Sequence, residues 1–119
     1  MKDSVVQSKS FDFAVETIKI CRYLTEAQHE FNLSKQLVRS STSIGANIRE
    51  ARRAQSPADF VAKMSISLKE AEESRYWYEL LVASDYISTQ QGEQMICMCD
   101  EIVRMLSSIV KTMREKNNS

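Results

Sequence analysis

Apolar residues recur along this chain every three or four positions, the period of a helix with one side turned to a core. The clearest run is the last. From about Thr89 to Arg114, Met95, Cys99, Ile102, Leu106, Ile109 and Met113 form one stripe, widened by Ile96, Val103 and Val110. A second stripe, Leu37, Ser41, Ile44, Ile48 and Ala51, lies on a helix expected over about Ser34 to Arg53. Between them, Phe60, Val61, Met64, Leu68, Ala71, Tyr78 and Val82 keep the period from Pro57 to about Ser84. The first helix is expected over about Ser10 to Gln28, with Phe11, Ala14, Val15, Ile18, Cys21 and either Leu24 or Thr25 facing inward. Residues 1–9 and 115–119 read as frayed ends.

The punctuation between these runs agrees with them. Ser56 can accept the free amide of Asp59, Pro57 has no amide to leave unpaired, and Asp59 suits the positive end of a helix. Ser88 stands where it can cap the last helix, and Glu30-Phe31-Asn32 separates the first helix from the second. Two glycines and one proline in 119 residues leave little turn chemistry for a β-protein. Long helices joined by short connections must run antiparallel to their neighbours. The expected fold is therefore all-α, an antiparallel up-down-up-down four-helix bundle, one domain over residues 10–115.

Composition adds limits. Apolar residues are 43% and charged residues 27%, an ordinary globular balance that can form a core without disulfides or metals. Three cysteines are a sparse, odd set, which fits reduced thiols in a cytoplasmic protein. The start lacks the apolar run of a signal peptide. The longest apolar run, Met95 to Cys99, is far shorter than the roughly 20 residues that span a bilayer, so no membrane is expected.

Net charge is zero but unevenly placed: residues 35–69 hold seven basic and two acidic side chains, and residues 70–101 one basic and eight acidic. Such blocks can orient a partner, or pair with each other within one bundle or between subunits. Lys35, Arg39, Arg49 and Arg53 fall on the side of the second helix opposite its apolar stripe, with Arg52 adjacent. Arginines spaced along a rigid helix can meet successive phosphates of RNA or DNA, or simply form a solvated face. The third helix holds more apolar surface than one core needs. With Tyr78 inward, Trp77 joins Ala62, Ile66 and Leu80 on another face. Such a strip fits a subunit interface, the plainer alternative being packing of Trp77 at the core's edge.

Candidate chemistry is thin. Glu26-Ala27-Gln28-His29 matches one Glu-x-x-His step of a bundle metal site, but His29 is the lone histidine and such sites need two steps. Arg22 and His29, seven apart, have the spacing of the ribonuclease motif of HEPN helical domains, and nothing else in the sequence supports that chemistry. Cys97 and Cys99 diverge by about 200° on a helix and lack a second ligand pair. There is no glycine-rich phosphate loop, and no base stands ready for the many serines. No enzyme activity, metal or cofactor is expected.

The run Gln36-Leu37-Val38-Arg39-Ser40-Ser41-Thr42-Ser43-Ile44-Gly45-Ala46-Asn47-Ile48-Arg49-Glu50-Ala51 resembles the second helix of the four-helix-bundle proteins encoded in intervening sequences of bacterial large-subunit ribosomal RNA genes. Ser56, Asp59, Phe60, the run Lys63 to Ala71, Glu73 and the stretch Trp77 to Leu81 are similar to its third helix. The resemblance covers roughly residues 11–110, and its Ser-Ile-x-x-Asn-Ile-x-Glu core is fairly specific. It implies an antiparallel bundle that assembles as a homopentameric ring. It also brings in accessory proteins of the reverse transcriptases of diversity-generating retroelements, which bind nucleic acid through basic surfaces. Arg39, Arg49, Arg52 and Arg53 are the positions that carry over. Two departures stand out: members often have proline where Gly45 stands and glycine where Ala51 stands.

Overall fold

The computed structural model describes residues 2–117. Its helices are α1 (Lys2–Gln28), α2 (Asn32–Ala51), α3 (Pro57–Ala83) and α4 (Thr89–Asn117), with no strand among the described residues. Each helix packs on its chain neighbours and α1 closes on α4, while the backbones of the diagonal pairs stay apart. The result is the expected antiparallel bundle, a rod of 51 × 21 × 20 Å.

The connections are closed by identifiable groups. Ser56 accepts the Asp59 amide at 3.0 Å with Pro57 in the first turn of α3, and Ser88 accepts the Gln91 amide at 3.1 Å, both as expected. Asp85, in the left-handed region at φ 64°, ends α3. There the Tyr86 amide bonds the Leu81 carbonyl and the Asp85 amide bonds that of Val82, each at 3.0 Å. That pair of bonds satisfies carbonyls which the last turn leaves open. His29, at φ 54°, turns the chain after α1.

The start of α2 holds a cap that the sequence reading did not assign. The Glu30 carboxylate accepts the amides of Asn32, Leu33 and Ser34 at 3.1, 3.0 and 2.8 Å, and the Ser34 hydroxyl at 3.0 Å. Burial pushes its pKa up, but these bonds outweigh burial and hold it below the ordinary carboxylate value.

The inward faces of α2 and α4 match their stripes, with Leu37, Ser41, Ile44, Ile48, Ala51, Met95, Cys99, Ile102, Leu106 and Ile109 all buried. On α3, Met64, Ala71 and Tyr78 are buried as expected, joined by Ser67, Ser74 and Leu81. Serines let α2 and α3 approach closely: Ser67 donates to the Ile44 carbonyl and Ser74 to the Ser40 hydroxyl, each at 2.8 Å. Tyr78 lies at the centre, its hydroxyl 2.6 Å from that of Thr17 and its ring edge-on to Phe13. Burial pushes the Tyr78 phenol far above its ordinary value. Among the described residues, no buried side-chain nitrogen or oxygen lacks a partner.

Helix α1 departs from its expected stripe. Its buried face is Val6, Ser10, Phe13, Thr17, Ile20, Cys21 and Leu24, whereas Phe11 is 57% and Ile18 39% exposed. The helix is rotated by about 100°, one residue's turn, from the expected orientation. Two positions of the true core face are polar, and each is satisfied locally or across the core: Ser10 by the Gln7 carbonyl, Thr17 by Tyr78. Of the apolar residues taken for the core face, Cys21 and Leu24 are buried, while Phe11, Ala14, Val15 and Ile18 form a second, outward strip. The expected fraying at both ends is also corrected. The chain is helical from Lys2, Val6 is fully buried, and Lys9 pairs with Glu101 of α4 at 2.7 Å. Helix α4 continues through Asn117, while the readings for Met1 and residues 118–119 fall outside the described residues.

Candidate binding surfaces

The basic residues of α2 do not share one environment. Arg39 bridges to α3, its guanidinium bonded to Glu70 at 3.1 Å and also to Glu73, whose carboxylate accepts the Trp77 indole N–H at 3.0 Å. Here the basic and acidic blocks of the sequence meet inside one bundle, and Arg39 is neutralised where it sits. Lys63 of α3 reaches Glu50 of α2 in the same way, at 3.8 Å. Lys35, Arg49, Arg52 and Arg53 are exposed, and no carboxylate pairs with them among the described residues. Arg52 instead donates to the Gln7 side chain at 2.8 Å, tying the end of α2 to the start of α1.

Three of these cations border a groove between α1 and α2. One depression along it is lined by Ile18, Arg22, Thr25, Phe31, Lys35 and Val38, with Cys21 and Ser34 beneath. The next shares Ile18 and continues past Phe11, Ala14, Val15, Thr42, Ala46 and Arg49. A third shares Phe11 and Arg49 and ends at Arg52. The floor is thus aliphatic, a phenylalanine stands toward each end, and the rim carries Arg22, Lys35, Arg49 and Arg52 with no acidic residue lining it. Gly45 makes the groove's waist narrow: a Cβ there would lie 3.3 Å from the Ser10 hydroxyl, so α1 and α2 approach closely at that point. A signal for this surface was present in the sequence, since α1 carries apolar residues on two faces.

The apolar residues on the outer side of α3 fall in two groups, with Lys69, Glu70 and Glu73 on the same face between them. Ala62 is exposed, Ile66 is 43% exposed, and Trp77 and Leu80 are half-buried. Tyr76, 53% exposed, packs its ring on Trp77 with centroids 5.3 Å apart. Trp77 is half-buried and packs against the edge of the core, the plainer of the two alternatives considered for it.

The remaining candidates do not come together as sites. His29 lies beyond the end of α1 in a left-handed turn, so it has left the helix face on which Arg22 sits, and its ring contact is with Phe31. Among the described residues, no group of three or more histidine, cysteine, aspartate or glutamate side chains could hold a metal ion. Cys21 and Cys99 are buried while Cys97 is exposed. Burial pushes the Cys21 thiol up to about 11 and that of Cys99 to about 12, so neither is a ready nucleophile near neutral pH. No helix is long and apolar enough to cross a membrane among the described residues.

Architecture and surfaces define a small antiparallel four-helix bundle with an apolar groove on its outside. Over residues 2–108 the chain matches the 23S rRNA-intervening sequence protein family, and it belongs to that family. It is similar to a protein of unknown function from the S23 ribosomal protein family of Bacteroides thetaiotaomicron VPI-5482, known from a crystal structure. The two share 51% identity and a TM-score of 0.91 over 93% of this chain and 99% of that one. No curated protein matches the chain.

Proposed function

We propose that this protein is a non-catalytic assembly module of the cytoplasm that associates with copies of itself. The observation that carries this reading is the apolar α1/α2 groove, joined by the exposed Ile66 and Tyr76 of α3, which the chain's own core leaves uncovered. A small protein that stays single rarely leaves a long apolar groove open, because it costs free energy roughly in proportion to its area in water. The family resemblance supports a ring of five chains. Light scattering at tens of micromolar tests it: the expected mass is a multiple of 13.7 kDa, five-fold for the ring, and a single-chain mass across that range refutes it.

A second reading has its own support. Lys35 and Arg49 on α2, and Arg52 and Arg53 just past its end, pair with no carboxylate among the described residues, which suits a surface for RNA or DNA phosphates. Arg39 contributes less, being bound to Glu70 and Glu73. Filter binding at low salt decides it. Retention that weakens steeply with added salt, and weakens further in Arg49→Glu/Arg53→Glu, is the expected outcome, and no retention at micromolar protein excludes it.

A further inference from the structure

The chain is neutral as a whole, yet its charge is divided along the rod. Residues 5–10, 45–66 and 105–117 share one end, where α2 hands over to α3 and α4 finishes. The Arg52–Gln7 bond, the Lys63–Glu50 pair and a bond from Arg114 to the Ser65 hydroxyl join them. That end holds eight basic and three acidic side chains, whereas residues 11–44 and 67–104 hold seven basic and twelve acidic. The basic row of α2 is therefore not one stripe. Arg39 is paired with Glu70 and Glu73, and Lys35 stands toward the opposite end. Arg49, Arg52 and Arg53 gather instead with Lys111 and Arg114 of α4. Those five are exposed, and no carboxylate pairs with them among the described residues. Their summed field draws an anion to the tip of the rod before any single contact forms.

At the same end, a cleft of about 500 Å³ opens between the α2–α3 connection and the last turns of α4. Pro57, Phe60 and Met113 line it with apolar surface, and Arg52 and Gln55 with polar groups. Phe60 is half-buried, held by the core it packs against while also lining the cleft. An aromatic face stacks on any base, and a side-chain amide can pair with a base edge. A duplex keeps its bases stacked inside, so only an unpaired base can enter such a cleft. Resting on the nucleic-acid reading above, we infer that this end of the rod binds single-stranded RNA or DNA, seating one unpaired base against Phe60 while the neighbouring phosphates lie on Arg52, Arg53, Lys111 and Arg114. The cleft selects among anions: a chain of aspartate and glutamate meets the cations but offers no ring to Phe60. The contact thus moves from the flank of α2 to the tip of the bundle, where α4 contributes as much as α2.

Fluorescence anisotropy of a labelled single strand of about ten nucleotides, titrated at low salt, separates this site from nucleic-acid binding in general. Arg53→Glu/Lys111→Glu reverses two charges at the tip, and Lys35→Glu/Lys69→Glu reverses as many elsewhere. All four residues are exposed, so both proteins should keep the far-ultraviolet spectrum of the wild type. The tip variant should bind at least about ten-fold more weakly and lose about two from the salt slope, the other variant changing by less than about three-fold. Equal losses in the two variants overturn the tip as the contact and leave the nucleic-acid reading standing. A wild type that binds no strand refutes that reading itself. Phe60→Leu keeps an apolar side chain but removes the aromatic face, so it should weaken the strand about five-fold and leave an abasic strand unchanged. Should Phe60→Leu melt well below the wild type, Gln55→Ala, at an exposed position, carries the same comparison. An abasic strand or a polyglutamate of equal charge that binds the wild type as tightly as the normal strand removes the base from the cleft. A mononucleotide that displaces the strand at equal concentration would assign the cleft to a free nucleotide and overturn the strand as its occupant.

Discussion

Removing the Glu30 carboxylate tests whether one buried acid starts α2. It is 7% exposed and takes three backbone amides that the first turn of any helix leaves without partners. A hydrogen bond to a charged group contributes about 1.5–3 kcal/mol net, and loss of an N-terminal cap costs about 0.5–2 kcal/mol. Three amides share two oxygens here, and water can replace part of the interaction at a helix end. Glu30→Ala should therefore cost about 2–3 kcal/mol, and Glu30→Gln, which keeps one acceptor but no charge, about 1 kcal/mol. At roughly 4 °C per kcal/mol for a chain of this size, the alanine protein should melt about 8–12 °C lower. Melting followed by circular dichroism at one fixed protein concentration is the assay, since association adds to apparent stability.

The pH dependence carries a sign. The folded-state pKa of Glu30 lies below its ordinary value of 4.5, so the carboxylate's contribution is fully present above that value. It is lost as the pH falls through the lower folded-state value. The difference between wild type and Glu30→Gln should hold from pH 7 to about 5 and then shrink on further acidification. An alanine variant within about 0.5 kcal/mol of wild type, or a glutamine difference that does not change between pH 7 and 3, would refute the reasoning.

Other outcomes follow from the packing. A Cβ at Gly92 would meet Val82 Cγ2 at 2.1 Å, so Gly92→Ala should destabilise by about 1–3 kcal/mol in thermal melts, and adding Val82→Ala should recover much of that loss. Tyr78→Phe leaves the buried Thr17 hydroxyl without its cross-core partner and should cost about 1–2 kcal/mol in urea unfolding, whereas Tyr78→Phe combined with Thr17→Val should cost less than the sum of the two changes. A thiol reagent at pH 8 should label Cys97 quickly and Cys21 and Cys99 only on unfolding, and equal labelling of all three would contradict the burial described here.

The helices themselves were legible because α2 and α4 concentrate their apolar residues on one side, and Ser56, Pro57 and Ser88 mark starts by local chemistry. Helix α1 was harder for a physical reason. Its core face includes Ser10 and Thr17, whose polarity is cancelled only by hydrogen bonds, Thr17's to a residue 61 positions away in sequence. Its outward face meanwhile carries Phe11, Val15 and Ile18. Periodicity counts apolar residues and cannot tell which of two faces the rest of the fold will cover. The cap by Glu30 escaped for a related reason, since a glutamate before a helix reads as a solvated turn until its three amide partners are seen. Lys35, Arg39 and Arg49 of the basic row lie on α2, while Arg52 and Arg53 fall just past its end at Ala51, and which members would be neutralised depended on α3. Only the pairing of Arg39 with Glu70 and Glu73 singles that arginine out from Lys35, Arg49 and Arg53.

Sedimentation equilibrium of the wild type beside Ile18→Ser, each across a hundred-fold range of concentration, tests the central claim most directly. Ile18 lies at the junction of two depressions of the groove and is 39% exposed, so its loss should leave the fold intact. The account predicts a wild type heavier than the 13.7 kDa chain and a variant whose association is weakened at least ten-fold. Equal masses for the two proteins, whether both single or both assembled, would contradict it.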